Sequence, residues 1–218
     1  MELTTLRKTE TLREQTVEVL RNAIIGGQIQ PGNKLVETQL AGQLGVSRGP
    51  LREAIRQLVE EGLVENVPYQ GTYVKTLTAK DIEEIYSFRT ALERFAFQSA
   101  WPRRNDDFFA EINMRHEALL NAIDSSESVP AIARELDLHG LVYEYADHQI
   151  LLDTWTMLRS RVQVYFAFHQ CAHNRHGSAR DAHIKYIACA KGDSLESMLD
   201  EIKTHMQLGL DRLRQFVA

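Results

Sequence analysis

Four residues in the second half of the chain have the types and the spacing of a metal site. Glu135 and His139 are four residues apart, so on a helix they share one face. We expect His183 and His205 to lie in the middle of two further helices. A carboxylate and three imidazoles from three facing helices would suit Zn²⁺, Ni²⁺ or Mn²⁺. The alternative is that they are ordinary core or solvated residues, our interpretation of His116, His169, His173 and His176.

Three arginines form a second pattern, nearer the N-terminus. Arg48, Arg52 and Arg56 recur every four residues and therefore line one side of a helix. An arginine at the start of a helix that lies in the DNA major groove can bind O6 and N7 of one guanine together. Each such arginine gives roughly 1–3 kcal/mol of discrimination against the wrong base. The alternative is a solvated helix face, and the neighbouring elements favour DNA over it.

The elements around the arginines predict a helix-turn-helix. Apolar residues at helical spacing predict one helix over residues 37–44 and another over residues 48–61. The turn between them contains Gly45, which is typical of this motif. Ser47 is placed to cap the N-terminus of the second helix and is a further candidate contact to DNA.

A β-hairpin is predicted directly after the second helix. Two short runs of strand-forming residues, 63–64 and 72–74, flank a turn sequence with Gly71 at its tip. This hairpin would be the wing of a winged helix-turn-helix. Gln70 and Gly71 are the wing residues that we expect to contact DNA.

The rest of the chain is predicted to be helical. A first helix over residues 11–29 should pack against the helix-turn-helix, residues 75–77 should form a linker, and Thr78 with Asp81 should cap the next helix, which runs to Trp101. Five more helices are predicted over residues 105–123, 131–147, 150–169, 178–191 and 193–217.

A second capping pair, Asp193 and Glu196, would start the last of these helices. The predicted fold class is therefore mainly α. A winged helix-turn-helix domain over residues 1–77 precedes an all-α helical bundle over residues 78–218.

Composition places limits on the class of protein. The chain has 218 residues, of which 44% are hydrophobic and 25% charged, as is usual for a globular protein. It has no long apolar run and no signal-peptide core at its start, so we expect a cytoplasmic protein with no membrane contact. The net charge of −5 arises entirely after residue 77, so DNA binding would depend on the placement of arginines rather than on bulk charge.

The helix-turn-helix region resembles the GntR family of bacterial transcription regulators. The matching run is Leu-x-Glu-x-x-Leu-Ala, Gly-Val-Ser-Arg-x-Pro-Leu-Arg-Glu-Ala-Ile, Glu-Gly-Leu-Val and the wing glycine. The resemblance implies that Arg48 and Arg52 contact bases or phosphates, and that the wing at Gly71 enters the minor groove. The family often has a basic residue at or near Thr38, and this chain has none there.

The region from about residue 79 onward resembles the FCD ligand-binding domain of the FadR subfamily. It carries the Arg-x-x-Leu-Glu run that begins at Arg89, an acidic-x-x-x-His pair, and two later histidines. The resemblance implies a metal site made by Glu135, His139, His183 and His205. The family usually has Asp where this chain has Glu135, and often Asn where it has His148.

Arg89 is the residue we expect to clamp an anionic effector. A guanidinium that faces a metal inside a bundle would hold a small organic acid through two hydrogen bonds. The alternative is that Arg89 pairs with Glu93, four residues on, as a bridge on the helix surface. Other residues that could line the pocket, on weaker grounds, are Tyr143, Arg159, Arg161 and Tyr165.

Together these features predict a metabolite-responsive transcription regulator, more often a repressor in this family. Two copies would associate through their helical domains and bind a short inverted-repeat DNA operator, and each bundle would bind a divalent metal and a small organic acid. One alternative is a metal-dependent enzyme, because such a site can also activate water. A second alternative is a regulator that binds a bulky acyl ligand without a metal.

Overall fold

The computed structural model describes residues 11–76, 78–125, 128–173 and 178–214, without the side chains of residues 128–129, 167–173 and 213. These residues divide into two compact units. One contains the residues up to Ile24 and the segment Gln28–Lys75, and the other contains Ile25–Gly27 and the residues from Thr76 onward. Among the described residues no helix has the length and apolar character to cross a membrane. The predictions that lie outside the described residues concern Leu77 of the linker, the side chains of His169, His173 and His176, and the last residues of the final helix.

The first unit contains the predicted helix-turn-helix. Helix α2 (Glu37–Leu44) ends at Gly45, whose φ of 65° is a left-handed conformation that glycine adopts without strain. Helix α3 (Arg48–Glu60) follows after two residues and buries four apolar side chains on one face: Leu51, Ala54, Ile55 and Leu58. Helix α1 (Leu12–Ile25) stops at the Gly26-Gly27 pair, so the prediction that it reaches residue 29 is wrong.

The wing is a two-stranded antiparallel hairpin. Strand β1 (Val64–Val67) pairs with β2 (Gly71–Val74) so that Val64 lies opposite Val74 and Val67 lies opposite Gly71. Both Val64 and Val74 are buried, which anchors the open end of the hairpin in the core of the unit. The tip projects into solvent, and Tyr69 at the tip has a φ of 64°.

The second unit is a bundle of helices, as the sequence predicts. The helices are α4 (Ala79–Ala100), α5 (Asp106–Asp124), α6 (Ser128–Tyr145), α7 (Gln149–His173), α8 (Ile184–Lys191) and α9 (Leu195–Arg214). A short 3₁₀ turn, Trp101–Arg103, separates α4 from α5 at Pro102. Helix α4 packs against α6, α7 and α9, so its buried face is the centre of the bundle.

Two predicted helix starts in this unit are wrong. The helix predicted from residue 178 begins only at Ile184, because residues 180–183 form turns, and His183 is its N-cap rather than a mid-helix residue. The predicted capping pair Asp193 and Glu196 is replaced by Ser194. The hydroxyl of Ser194 accepts a hydrogen bond of 3.2 Å from the backbone N–H of Ser197.

The N-terminus of α4 carries a reciprocal cap, as predicted. The hydroxyl of Thr78 accepts a hydrogen bond from the backbone N–H of Asp81, whose carboxylate accepts one from the backbone N–H of Thr78. We expect Thr78→Ala to lower the free energy of unfolding of the full chain by about 1 kcal/mol, the usual cost of losing such a cap. Thr78→Ser keeps the hydroxyl, so it should lower the free energy of unfolding by no more than about half as much. Urea denaturation followed by circular dichroism measures both, and equal losses in the two variants would contradict the assignment.

Candidate metal site and nucleic-acid interface

Three histidines from three elements meet inside the bundle. His139 lies on α6, His183 caps α8 and His205 lies on α9, and one ring nitrogen from each lies within 4.8 Å of the others. His139 and His183 are buried, and His205 is partly buried. The structure therefore brings together three of the four predicted metal ligands.

A buried carboxylate fixes the orientation of the His139 ring. Oε1 of Glu93 lies 2.9 Å from Nδ1 of His139 and accepts a hydrogen bond of 2.7 Å from the hydroxyl of Tyr186. Burial raises the pKa of Glu93, whereas Arg89 and the Tyr186 hydrogen bond lower it. Because a carboxylate oxygen can accept from both neighbours, we assign a proton to Nδ1 of His139. The lone pair on Nε2 then points away from Glu93, as in many metal-binding histidines.

The chemistry of this cluster fits a divalent metal. Nε2 of His139 and Nε2 of His183 are 3.2 Å apart, close to the roughly 3.3 Å between two tetrahedral ligands with metal–nitrogen bonds of about 2.0–2.1 Å. Burial lowers the pKa of His139 and of His183 well below the usual range, and that of His205 to about 3. All three imidazoles are therefore neutral near pH 7, the state in which they bind metals.

Glu135, the fourth predicted ligand, lies at the edge of this cluster. Its Oε1 is 3.7 Å from Nε2 of His183, and it lies outside the group of three nitrogens. Burial raises the pKa of Glu135 to about 7, although the positive charge of Arg89 opposes that rise. A small rotation of this side chain would bring an oxygen to a metal held by the histidines.

A small cavity opens beside the histidines. Glu135, His183 and His205 line it on one side, and Tyr86 and Arg89 of α4 line it on another. The volume of this cavity is about 90 Å³, whereas pockets for drug-sized ligands enclose roughly 300–1,000 Å³. The cavity suits a ligand much smaller than a drug-sized molecule.

Arg89 is buried and faces both the cavity and Glu93. Only 2% of Arg89 is exposed and none of Glu93, so the two side chains form the predicted ion pair, but it is buried and not at the helix surface. Nε of Arg89 is 3.8 Å from Oε2 of Glu93, too far for a hydrogen bond. Among the described residues neither Nε nor Nη2 of Arg89 has a hydrogen-bond partner, which leaves donors for an anion in the cavity.

The other predicted effector-binding residues do not line this cavity. Tyr143 is buried behind it and stacks on Trp155, with ring centroids 4.6 Å apart. Tyr165 is buried, Arg161 is exposed, and Arg159 donates to the carboxylate of Asp137. Contact of these four with an effector stays a prediction.

Sequence reasoning missed three residues of this site: Glu93, Tyr186 and Arg212. Glu93 is four residues after Arg89, and Tyr186 is three after His183, so each shares a helical face with a residue that was identified. Arg212 lines the cavity seven residues after His205. The helical period was therefore a usable signal for all three.

The exposed face of α3 is the candidate nucleic-acid interface. Arg48 and Arg52 lie in its first two turns, and both are exposed together with Arg56. Nε of Arg52 donates to Glu37 of α2 at 2.7 Å, and Arg56 donates to Glu53. Arg48 makes no hydrogen bond or ion pair with any residue that the structure describes. Ser47 is the N-cap of α3, but its hydroxyl makes no capping hydrogen bond and is free to bind a phosphate.

The wing adds a cation that the sequence did not single out. Gly71 has a φ of 115°, and a Cβ at this position would lie 3.0 Å from Cε of Lys34. The amino group of Lys34 also lies 5.6 Å from the ring centroid of Tyr73. Lys34 and Gln70 are exposed, so the wing presents a positive charge and an amide beside Gly71.

Profiles of two protein families match this chain. The profile described as "Bacterial regulatory proteins, gntR family" matches residues 12–74, and the FCD domain profile matches residues 84–208. These ranges fall in the helix-turn-helix unit and in the helical unit respectively.

Curated proteins and solved structures give the same result. The chain is 32% identical over 133 residues to the uncharacterized HTH-type transcriptional regulator YdhC of Bacillus subtilis, which covers 61% of this chain and 59% of that protein. It is 30% identical over 168 residues to a probable D-xylose utilization operon transcriptional repressor of Paenarthrobacter nicotinovorans. That alignment covers 77% of this chain and 74% of the repressor. The solved structure of McbR/YncC from E. coli has the same fold, with a TM-score of 0.77 at 23% identity over 95% of this chain and 99% of that one.

Proposed function

Because the chain belongs to the GntR family and carries the FCD domain that fits the FadR-type subfamily, we propose that it is a metabolite-responsive transcription regulator, and specifically a repressor. Repressors occur among its named relatives. A regulator of this kind acts on chromosomal DNA, so the proposal assigns it to the cytoplasm.

The observation that carries this proposal is the division of α3 into two faces. One face is buried in the helix-turn-helix, and the opposite face exposes Arg48, Arg52 and Arg56. A helix that is fixed by its core and presents arginines near its N-terminus is suited to reading bases in the major groove. Ser47, Gln70 and Gly71 would add contacts to the DNA backbone and the minor groove.

We propose that the protein binds DNA as a homodimer. The first 77 residues have no net charge, so one copy would bind phosphates weakly and two copies would double the contacts. Exposed apolar side chains support association through the bundle: Phe88 and Phe95 are seven residues apart on α4, and Ile150 and Met157 are seven apart on α7. A two-fold dimer would recognise a short inverted repeat.

The helical unit would be the sensor. His139, His183 and His205 would hold Zn²⁺, Ni²⁺ or Mn²⁺, with Glu135 as the fourth ligand, and the metal would bind a carboxylate oxygen of a small organic acid. Arg89 would donate to the same carboxylate. The small cavity favours such an acid over a bulky acyl chain. The alternative of a metal-dependent enzyme is not supported, since members of this family are DNA-binding regulators and not enzymes.

DNA selection tests the proposal as a whole. Duplexes that the metal-loaded full chain selects from a random pool should converge on a short inverted repeat. An effector acid should change the affinity for that duplex by about 5–150-fold, the usual range of allosteric coupling, and a chelator should abolish the change. Fluorescence anisotropy measures the affinity. Selected duplexes that share no sequence would overturn the proposal.

A further inference from the structure

The cavity beside the histidines contains two arginines at different depths. Arg89 is almost completely buried at the inner side, whereas Arg212 is exposed. Arg212 makes no ion pair with any residue that the structure describes, although Arg214, two residues later, pairs with Glu83 at 2.7 Å. The guanidinium of Arg212 is therefore available to a ligand.

Helix α9 sets the separation between Arg212 and the histidine cluster. His205, Gly209 and Arg212 are spaced along one face of this helix, and all three line the cavity. Seven residues of helix correspond to a rise of about 10 Å. The long Arg212 side chain leans back towards the N-terminus of α9 and shortens this separation, so two anionic groups joined by a few bonds can bind at the histidine cluster and at Arg212 together.

Gly209 keeps the path between these two points open. A Cβ at this position would lie 2.8 Å from Cε1 and 3.1 Å from the hydroxyl oxygen of Tyr86. Because the two helices approach so closely here, a larger residue would displace Tyr86, which itself lines the cavity. The glycine therefore preserves the wall along which a ligand would extend.

The charges of the lining favour a ligand with more than one negative charge. The charged side chains of the lining are Arg89, Arg212 and Glu135, and the carboxylate of Glu93 lies beside Arg89, so two cations and two anions balance before any metal binds. A divalent ion on the histidines would add two positive charges. A monoanion would balance only half of the charge of this ion in a partly enclosed site, where electrostatic interactions are strong.

We propose that the effector carries two anionic groups joined by a short carbon chain. One group binds at the histidine cluster with Arg89, and the second, a carboxylate or a phosphate, binds Arg212. This inference rests on the proposed function, because it assumes that an acid binds at the metal. It adds that Arg212 selects dianions over monoanions.

Calorimetry with the zinc-loaded full chain tests the inference through matched pairs of acids. Succinate is compared with butyrate, and 3-phosphoglycerate with glycerate, so that each pair differs in its second anionic group. We expect at least one dianion to bind 10-fold or more tightly than its monoanionic partner, since one charge-assisted pair contributes about that much. The pair with the larger ratio identifies the second group as carboxylate or phosphate.

Variants of α9 complete the test. Arg212→Ala should remove most of the preference while leaving zinc content and monoanion binding unchanged, and Arg214→Ala should leave the preference intact. Equal binding of dianions and monoanions to the unaltered chain would overturn this inference but not the proposed function. Absence of binding by all four acids would overturn both the inference and the proposal that an acid binds at the metal.

Discussion

Replacing both Arg48 and Arg52 with alanine should weaken binding to the selected operator by at least about 30-fold. Each arginine that reads guanine contributes roughly 1–3 kcal/mol, and the two side chains lie in the first two turns of α3. The fold should survive, because both side chains are exposed. The ion pair of Arg52 with Glu37 is solvent-accessible, and such pairs contribute little to stability.

Fluorescence anisotropy at one fixed salt concentration measures this loss, and circular dichroism checks that the variant is folded. Arg56→Ala should have a smaller effect, since Arg56 lies one turn further from the N-terminus of α3 and pairs with Glu53. Arg103→Ala removes an exposed arginine of the helical unit and should leave the affinity unchanged. If the double variant binds the operator as tightly as the original chain, α3 is not the recognition helix.

The helix-turn-helix was predictable almost to the residue because its signals are local. Gly45 ends α2 in a left-handed conformation, and the spacing of apolar residues in α3 leaves one possible buried face. The error at the end of α1 has the same origin. One apolar residue, Ile29, follows Gly26-Gly27 at helical spacing from Ile25, and the helical period alone does not reveal how strongly two glycines end a helix.

The histidine cluster was predictable only in part. The spacing of Glu135 and His139 defines a shared face, but His183 was predicted in the middle of a helix. Residues 178–183 lack glycine and proline, so the sequence has no marker for the turn that makes His183 an N-cap. This turn places both Ala182 and His183 in the lining of the cavity, and it depends on tertiary packing rather than on local propensity.

The burial of the site could not be predicted from the sequence either. Arg89 and Glu93 have the spacing of a common surface pair, and only the packing of α4 at the centre of the bundle buries both. Burial changes their role, because a buried carboxylate can orient His139 and a buried guanidinium retains unused donors. Amphipathic patterning identifies which residues share a face, but it does not reveal how deep that face lies.

Removing the metal should destabilise the helical unit strongly. At a free zinc concentration about 1,000 times the dissociation constant, binding stabilises the folded chain by about 4 kcal/mol, and a chelator should abolish this stabilisation. Without an ion, Nε2 of His183 carries a proton and donates a hydrogen bond of 3.2 Å to the lone pair on Nε2 of His139, so zinc binding must displace this proton. Thermal denaturation with and without chelator, together with zinc analysis of the purified chain, measures the effect.

Single variants should divide the site into ligands and positioning residues. His205→Ala removes a proposed ligand and should weaken zinc binding by more than roughly 100-fold, whereas Glu93→Gln, which removes the carboxylate that orients His139 but no ligand, should weaken it by roughly 10–100-fold. Glu135→Gln tests the fourth ligand. Its loss of zinc affinity should be closer to that of His205→Ala if the carboxylate of Glu135 binds the metal. His148→Ala is the matched control, since this exposed imidazole lies outside the cluster and contacts Phe95. Zinc bound equally well by His205→Ala and His148→Ala would exclude the three histidines as the metal site, because a true ligand cannot be exchanged for a methyl group without loss of affinity.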